Sequence, residues 1–124
     1  MKASICLLLL ISFAAFAQTD EIITSGNSKL RYRTFGEGKP LLIINGGPGM
    51  NSDGFTYIAE ALSKYNYQTI TYDQRGTGKS ALEISNHKNI TMDLMVEDME
   101  TLRKHLQVES WAILGHSFGG ILAT

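Results

Sequence analysis

The chain has 124 residues, of which 44% are hydrophobic and 19% are charged, a composition typical of folded globular proteins rather than of disordered or fibrous ones. Its 11 basic and 12 acidic side chains give a formal net charge of −1, which offers no clustered basic face for nucleic acid or an anionic membrane. The length allows one domain of modest size.

The first 17 residues have the pattern of a secretory signal peptide. Lys2 supplies a positive start, an apolar run follows at Ile5–Ile11, and Ala15–Ala17 fits the A-x-A cleavage pattern. An uncleaved anchor is the alternative, but the apolar stretch is shorter than the roughly 20 residues that span a bilayer. The only cysteine, Cys6, lies in this run, so a mature chain beginning at Gln18 would use neither disulfides nor thiolate metal sites. We expect an exported (periplasmic or secreted) protein with no stable membrane anchor after cleavage.

The remaining chain, residues 18–124, predicts two strands followed by alternating strands and helices. Asp20–Thr24 and Lys29–Phe35 are short strand patterns, and the alternation of apolar and basic residues in the second indicates an antiparallel strand with one solvated face. The later elements are predicted as a buried strand at Leu41–Ile44, a helix at Ser52–Tyr65, a strand at Tyr67–Tyr72, a helix at Thr91–Leu106 and a strand at Trp111–Leu114. This order predicts an α/β sheet whose later strands are parallel.

Both predicted helices are amphipathic. Ser52 or Asp53 is placed to cap the first helix. Its apolar face is formed by Phe55, Ile58, Ala59 and Leu62. The apolar stripe of the second helix is formed by Met92, Met95, Val96, Met99, Leu102 and Leu106. Because core-facing stripes are far commoner than methionine-rich partner grooves, we expect this stripe to pack against the sheet.

Eight of the 12 glycines fall in three short loops, each directly after a predicted buried strand. We call them the first loop (Asn45–Gly49, N-G-G-P-G), the middle loop (Asp73–Ser80, D-Q-R-G-T-G-K-S) and the elbow loop (Gly115–Gly120, G-H-S-F-G-G). Ligands of open parallel sheets bind outside the carboxyl ends of the strands. We therefore expect the three loops to line one crevice.

The elbow loop contains G-x-S-x-G between a strand and a helix, the pattern of a nucleophile elbow. A sharp turn there would strain the backbone of Ser117 and hold its hydroxyl outward. The amide of Phe118 would then face the oxygen of a tetrahedral intermediate. A second oxyanion donor would come from the first loop, as the amide of Gly47 or alternatively that of Gly46.

The middle loop fits two nucleotide-binding motifs only superficially. A P-loop needs glycine five residues before Gly78, where Asp73 stands, and a carboxylate there would repel phosphate. Gly76 and Gly78 match the dinucleotide fingerprint loosely, but the stretch Asn86–Asn89 interrupts the helix that this fingerprint must open. We expect no nucleotide, no other cofactor and no metal.

In these loops and their order, the chain resembles the N-terminal part of α/β-hydrolases, and specifically the proline iminopeptidase (prolyl aminopeptidase) family. The motifs of that family are H-G-G-P-G, D-x-R-G-x-G-x-S and the serine elbow, and the resemblance runs from about Leu30 to the end of the chain. It implies the N-terminal half of an α/β-hydrolase domain, a mostly parallel sheet with flanking helices. It also implies an acyl-enzyme on Ser117, formed without metal or cofactor, and a substrate that is the N-terminus of a small peptide.

The resemblance assigns roles to the other loop residues as well. The residues expected to shape the crevice are Asn45, Gly46, Pro48, Gly49, Asp73, Arg75, Gly76 and Gly78, with Asp73 and Arg75 in structural polar contacts. Asn45 stands where the family has histidine, and its amide can still hold the first loop by hydrogen bonds. This departure keeps an alternative open, an esterase or another amide or ester hydrolase of the same fold acting on a small ester.

A serine nucleophile needs an adjacent base, and in this fold the acid and the histidine of the triad follow the serine. Residues 118–124 contain neither, and we expect none of His87, His105 and His116 to act as the base. The sequence thus predicts that residues 18–124 form the N-terminal part of the domain, truncated after the elbow, and that the 124-residue chain is itself inactive. The remaining alternative to a serine hydrolase is a non-catalytic fragment that lacks the acid and the histidine of the triad.

Overall fold

A computed structural model of the chain describes residues 18–124. In chain order its elements are β1 (Thr19–Ser25), β2 (Ser28–Phe35), β3 (Lys39–Ile44), a 3₁₀ turn (Asp53–Phe55), α1 (Thr56–Ser63), β4 (Tyr67–Tyr72), α2 (Met92–His105), β5 (Ala112–Gly115) and α3 (Phe118–Leu122). The predicted signal peptide, with Cys6, lies outside the described residues and stays a prediction. Among the helices of residues 18–124, none is both long and apolar enough to cross a membrane.

The five strands form one mixed sheet in the order β1-β2-β4-β3-β5. The pairs β1–β2 and β2–β4 are antiparallel, whereas β3 pairs in parallel with β4 on one side and with β5 on the other. In register, Leu42 lies beside Ile70 of β4 and Ile113 of β5. The carboxyl ends of the three parallel strands therefore meet at one edge of the sheet, which confirms the predicted placement of the three loops there.

The core lies on both faces of the sheet. Because side chains alternate along a strand, Leu42 and Ile44 of β3 face one side while Leu41 and Ile43 face the other. The cluster on the first side comprises Tyr32, Leu42, Ile44, Ile70, Tyr72, Met95, Met99, Leu102 and Leu122, and the cluster on the second side comprises Phe35, Leu41, Ile43 and Ala59. The strand predicted to be apolar on both faces is thus buried on both, beneath α2 and α3 on one side and α1 on the other.

The first predicted helix is shorter than expected, and its predicted cap is wrong. A 3₁₀ turn precedes α1, and neither element has a side-chain hydrogen bond at its N-cap. The hydroxyl of Ser52 instead donates to Oδ1 of Asp73 at 2.7 Å, because that buried carboxylate requires donors. Of the predicted apolar face, Ala59 is fully buried, but Ile58 is 39% exposed, so its placement on that face is wrong.

The second predicted helix is largely confirmed as α2. Oγ1 of Thr91 caps it by accepting from the amide of Leu94 at 3.2 Å. Met95, Met99 and Leu102 are buried, and Leu106 packs against the same cluster. Two residues of the predicted stripe, Met92 and Val96, are more than 40% exposed. Val96 follows Met95 by one residue, which turns it about 100° around the helix and away from the sheet.

The basic face of β2 is buried rather than solvated, which corrects the sequence prediction. Arg31 and Arg33 are each only 6% exposed. β2 lies inside the sheet between β1 and β4, and residues of the 3₁₀ turn and α1 cover its second face. The Arg31 guanidinium makes a bidentate pair with Asp20 at 2.7 Å and donates to Asp53 at 2.8 Å. These hydrogen bonds from Arg31 lower the pKa of both carboxyls below the usual aspartate range.

Candidate active site

Ser117 occupies the apex of a tight turn between β5 and α3. Its φ of 53° is in the left-handed region that non-glycine residues seldom adopt. The amide of His116 donates to the carbonyl of Ile44 at 3.0 Å, and that of Gly119 donates to the carbonyl of His116 at 2.9 Å. The turn is therefore tied to the end of β3 on one side and closed by the first residues of α3 on the other.

The glycines that flank Ser117 permit backbone-to-backbone packing of the elbow. A Cβ at Gly115 would collide with the carbonyl oxygen of Gly119. A Cβ at Gly119 would collide with the carbonyl oxygen of Ile44 and approach that of Asn45 to 2.7 Å. The end of β3 and the elbow thus lie closer together than any other residue type would allow, which explains two glycines of the G-x-S-x-G pattern.

This packing predicts opposite effects for two neighbouring glycines of α3. Gly119→Ala should lower the free energy of unfolding by about 1–3 kcal/mol, because the new methyl group must displace the backbone at the end of β3. A Cβ at Gly120 would meet its nearest neighbour, the carbonyl oxygen of Gly115, at an ordinary 3.8 Å. Gly120→Ala is the matched control and should leave stability unchanged or raised. Urea unfolding checks this, and equal losses in the two variants would contradict it.

Ser117 opens onto a cavity of about 440 Å³ that it shares with the first loop. The cavity is lined by Asn45, Gly46, Gly47, Pro48, Met50, Asn51, Gly54, Phe55, His116 and Ser117. Gly46 lies closest to the serine, since a Cβ there would be 3.3 Å from the Cβ of Ser117. The structure thus brings together the predicted nucleophile and both candidate donors of the first loop.

Five residues of this cavity were not among the predicted site residues, His116 and four residues that follow the first loop. Met50, Asn51, Gly54 and Phe55 line it because the chain after the first loop continues along the cavity before α1 begins. The sequence predicts Phe55 on the apolar face of a helix, whereas its ring also packs against that of His116, with the ring centroids 5.4 Å apart. Their position directly after the glycines is the sequence signal that could have identified them.

Asn45 holds the first loop with its side-chain amide. Its Nδ2 donates to the carbonyl oxygen of Gly46 at 2.7 Å and to that of Met50 at 2.9 Å. The side chain is buried, and its Oδ1 has no hydrogen-bond partner among the described residues. Asn45 therefore forms the hydrogen bonds within the loop that the sequence analysis expected of it.

The middle loop contacts the first loop through the hydrogen bond from Gln74 to the carbonyl of Asn45, and none of its residues lines the cavity at Ser117. Asp73 accepts from the amide and hydroxyl of Ser52, at 2.9 and 2.7 Å, and from the amide of Lys79 at 3.0 Å. A Cβ at Gly78 would collide with this carboxylate. The expectation that all three loops line one crevice is thus wrong for the middle loop, because the side chains of Asp73 and Arg75 are buried against their partners.

A second cavity, of about 360 Å³, contains three predicted residues that the first lacks, Gly49, Arg75 and Gly76, whereas Asp73, Gly78 and Phe118 line neither cavity. It is lined by Pro48, Gly49, Gln74, Arg75, Gly76, Thr77, Ile90 and Met95. Arg75 is 2% exposed and makes a bidentate pair with Asp98, at 2.6 and 2.9 Å. The next helix after the middle loop begins only at Met92, so the loop does not open a helix as a dinucleotide fingerprint must.

The three histidines occupy different surroundings. His116 lines the cavity at Ser117, whereas Nε2 of His105 lies 3.2 Å from the hydroxyl of Tyr32, which donates to Glu21. Burial and the bond to Glu21 raise the pKa of Tyr32 to about 12. Within residues 18–124, no imidazole is hydrogen-bonded to Ser117, and no group of three or more His, Cys, Asp or Glu side chains is placed to hold a metal ion.

The sheet order, the elbow and the first loop define the class of protein. The family model of the alpha/beta hydrolase fold matches residues 39–124, and the chain belongs to that family. It is 36% identical over 95 residues to a proline iminopeptidase of Lactobacillus helveticus, covering 74% of this chain and 32% of the relative. It is 32% identical over 109 residues to a proline iminopeptidase of Lactobacillus delbrueckii subsp. lactis, covering 85% of this chain and 37% of the relative. The chain spans about a third of the length of these curated relatives.

Solved structures show the same likeness. A proline iminopeptidase-related protein of Thermus thermophilus superposes with a TM-score of 0.76 at 31% identity, covering 86% of this chain and 39% of that protein. A proline iminopeptidase of Mycobacterium smegmatis superposes with a TM-score of 0.77 at 26% identity, covering 84% of this chain and 37% of that protein. An epoxide hydrolase of Vigna radiata shares the fold, with a TM-score of 0.77 at 23% identity, covering 85% of this chain and 32% of that protein. The chain is thus a proline iminopeptidase-like member of its family.

Proposed function

We propose that Ser117 is the nucleophile of a serine hydrolase that acts through an acyl-enzyme. The observation that carries the proposal is the strained Ser117, φ 53°, facing a cavity lined by the glycines of the first loop. Its Oγ would attack a carbonyl carbon, the tetrahedral intermediate would expel the leaving group, and water would then hydrolyse the acyl-serine. The arrangement suits this chemistry because Ser117 and the glycines of the first loop line the same cavity.

The oxyanion would be bound by two backbone amides. Phe118 begins α3, and the first amides of a helix have no partner within the helix, so its N–H is available to an oxygen at Ser117. The second donor would be the amide of Gly47 or that of Gly46, which lies beside Ser117. Removing one such donor in comparable enzymes slows the reaction about 10²–10³-fold.

Activation of Ser117 requires a general base that residues 18–124 do not place beside it. We assign this base to the part of the relatives' length that the chain does not span. The base would take the proton from Oγ during attack and return it to the leaving group. His116 lines the same cavity but packs against Phe55, so we do not assign it this role.

For the substrate, we propose the amino-terminal residue of a small peptide, with proline in first position. The support is the likeness to proteins named proline iminopeptidases, at 32–36% identity in the two Lactobacillus relatives. Because Asn45 replaces the histidine of the family motif, an esterase or amidase of the same fold is the second candidate. The two candidates differ in whether a free amino group on the substrate is required.

The test uses the protein expressed from its complete reading frame. L-proline 4-nitroanilide should be hydrolysed, its N-acetylated form should not, and 4-nitrophenyl acetate should react more slowly than the prolyl substrate. The exposed Ser110 provides the matched control, because Ser110→Ala should leave all three rates unchanged. Hydrolysis of the acetate ester with no reaction of either anilide would reject the aminopeptidase in favour of the esterase.

A further inference from the structure

The middle loop, although outside the cavity at Ser117, holds the segment that lines it, residues 45–55, at two points. Asp73 receives two hydrogen bonds from Ser52, within that segment. Nε2 of the next residue, Gln74, donates to the carbonyl oxygen of Asn45 at 2.8 Å. Asn45 begins the first loop and directly follows Ile44, the last residue of β3.

We propose that Gln74 is a positioning residue for the reaction, which orients the amides of the first loop toward the oxyanion. This inference rests on the proposed function. The carbonyl of Asn45 and the amide of Gly46 belong to one planar, trans peptide unit, so they point in opposite directions. The hydrogen bond from Gln74 to this carbonyl therefore fixes the direction of the Gly46 N–H.

The adjacent peptide unit is held in the same way. Nδ2 of Asn45 donates to the carbonyl oxygen of Gly46, which shares a peptide plane with the amide of Gly47. The two planes meet at the Cα of Gly46, where no side chain restricts the backbone dihedrals. Hydrogen bonds from Gln74 and Asn45 thus supply the orientation that the glycine backbone lacks. Each bond also polarises its peptide unit and strengthens the N–H as a donor.

The burial of Gln74 supports this role over simple packing. The side chain is 1% exposed, and its Oε1 has no hydrogen-bond partner among the described residues. An unpaired buried acceptor is unfavourable, and an apolar side chain of similar length would avoid this cost. The hydrogen bond from Nε2 of Gln74 to the carbonyl oxygen of Asn45 is the interaction that offsets this cost.

The first experiment compares Gln74→Met with Thr69→Val in the protein expressed from its complete reading frame. Thr69 is also fully buried, and its Oγ1 donates to the carbonyl of Ala59 at 2.9 Å, away from the loops. The readout is the rate of phosphonylation by a fluorophosphonate, since its transition state develops charge on an oxygen at the same donors. We expect the maximal rate of Gln74→Met to fall about ten- to a hundred-fold, with the half-saturating concentration little changed. Thr69→Val should keep the wild-type rate.

The second experiment uses Gln74→Glu and a pH profile. As a neutral acid, glutamate can donate to the carbonyl of Asn45, whereas its carboxylate would face that oxygen without a proton. Burial raises the pKa of such a carboxyl. The rate relative to wild type at the same pH should therefore recover in Gln74→Glu as the pH falls through that pKa, while the ratio for Gln74→Met stays flat.

The outcomes separate this inference from the proposed function. If wild type and Ser117→Ala label equally, the proposed function fails. If wild type labels at Ser117 and Gln74→Met matches Thr69→Val, the positioning role alone is overturned. The positioning role is also overturned if the rate of Gln74→Glu relative to wild type does not change with pH. Loss of folding in both Gln74 variants while Thr69→Val folds would overturn it as well, because Gln74 would then serve stability rather than the orientation of the first loop.

Discussion

Replacing Ser117 by alanine is expected to reduce hydrolysis by about 10⁴-fold or more while leaving the fold intact. The loss is large because no other nucleophile is held at the apex of the elbow, facing the amides of the first loop. The fold should survive because the Ser117 side chain makes no capping hydrogen bond to α3. Alanine at φ 53° carries the same Cβ as serine, so the substitution adds no new backbone strain.

The measurement is the rate of anilide and ester hydrolysis, together with a thermal melt monitored by circular dichroism. Ser110→Ala, on the surface before β5, is the control for removing a serine hydroxyl. Ser117→Ala should have the same melting temperature as wild type but lack its hydrolytic activity. Turnover of Ser117→Ala near the wild-type rate would move the chemistry to another residue.

Removing the carboxylate of Asp98 is expected to cost about 3–5 kcal/mol of folding free energy. Asp98 and Arg75 are both 1% exposed in their side chains, and they form a bidentate pair at 2.6 and 2.9 Å. Asp98→Ala leaves the Arg75 guanidinium buried without its counter-charge, and its remaining partners are uncharged oxygens of Asn27 and Asn89. The penalty arises from this uncompensated charge more than from the lost pair itself.

Urea unfolding measures the effect, and the chain offers a matched control on the same helix. Glu100 pairs with Arg103 at 2.7 Å, but both lie at the surface of α2, where ion pairs contribute little. Glu100→Ala should therefore change the free energy of unfolding far less than Asp98→Ala. The apolar double variant Arg75→Met, Asp98→Leu should recover much of the loss, because it removes both charges. Equal destabilisation by Asp98→Ala and Glu100→Ala would contradict this assignment.

The parallel part of the fold could be predicted from the sequence because its signals are local. Leu41–Ile44 has no polar residue on either face, and in the structure it pairs with strands on both sides. Thr91 precedes an apolar repeat of three and four residues, and it caps α2. The elbow could be recognised for the same reason, since the glycines and Ser117 meet within six residues.

The burial of Arg31 and Arg33 could not be predicted, because it depends on groups distant in the chain. Alternating basic residues in a strand normally indicate a solvated face. Here Asp53 and Thr56, more than 20 residues away, cover that face and accept hydrogen bonds from the two guanidinium groups. The missed role of Ser52 has the same origin, since it contacts Asp73 instead of its own helix.

Which loops line the cavity at Ser117 and which loop supports them also depends on tertiary contacts. Its position after a buried strand places the middle loop at the correct edge of the sheet, but this position does not predict which loop lines the cavity at Ser117. The inward turn of Asp73 toward Ser52 and of Gln74 toward Asn45 decides this. Sequence alone assigned these residues to one motif, whereas their hydrogen bonds show what each of them holds.

The most direct test of the account is mass-spectrometric mapping of the residue that a fluorophosphonate modifies in the protein expressed from its complete reading frame. We expect a single adduct on Ser117, present in wild type and in Ser110→Ala and absent from Ser117→Ala. A folded wild-type protein that remains unmodified, or an adduct on any other residue, would contradict Ser117 as the nucleophile.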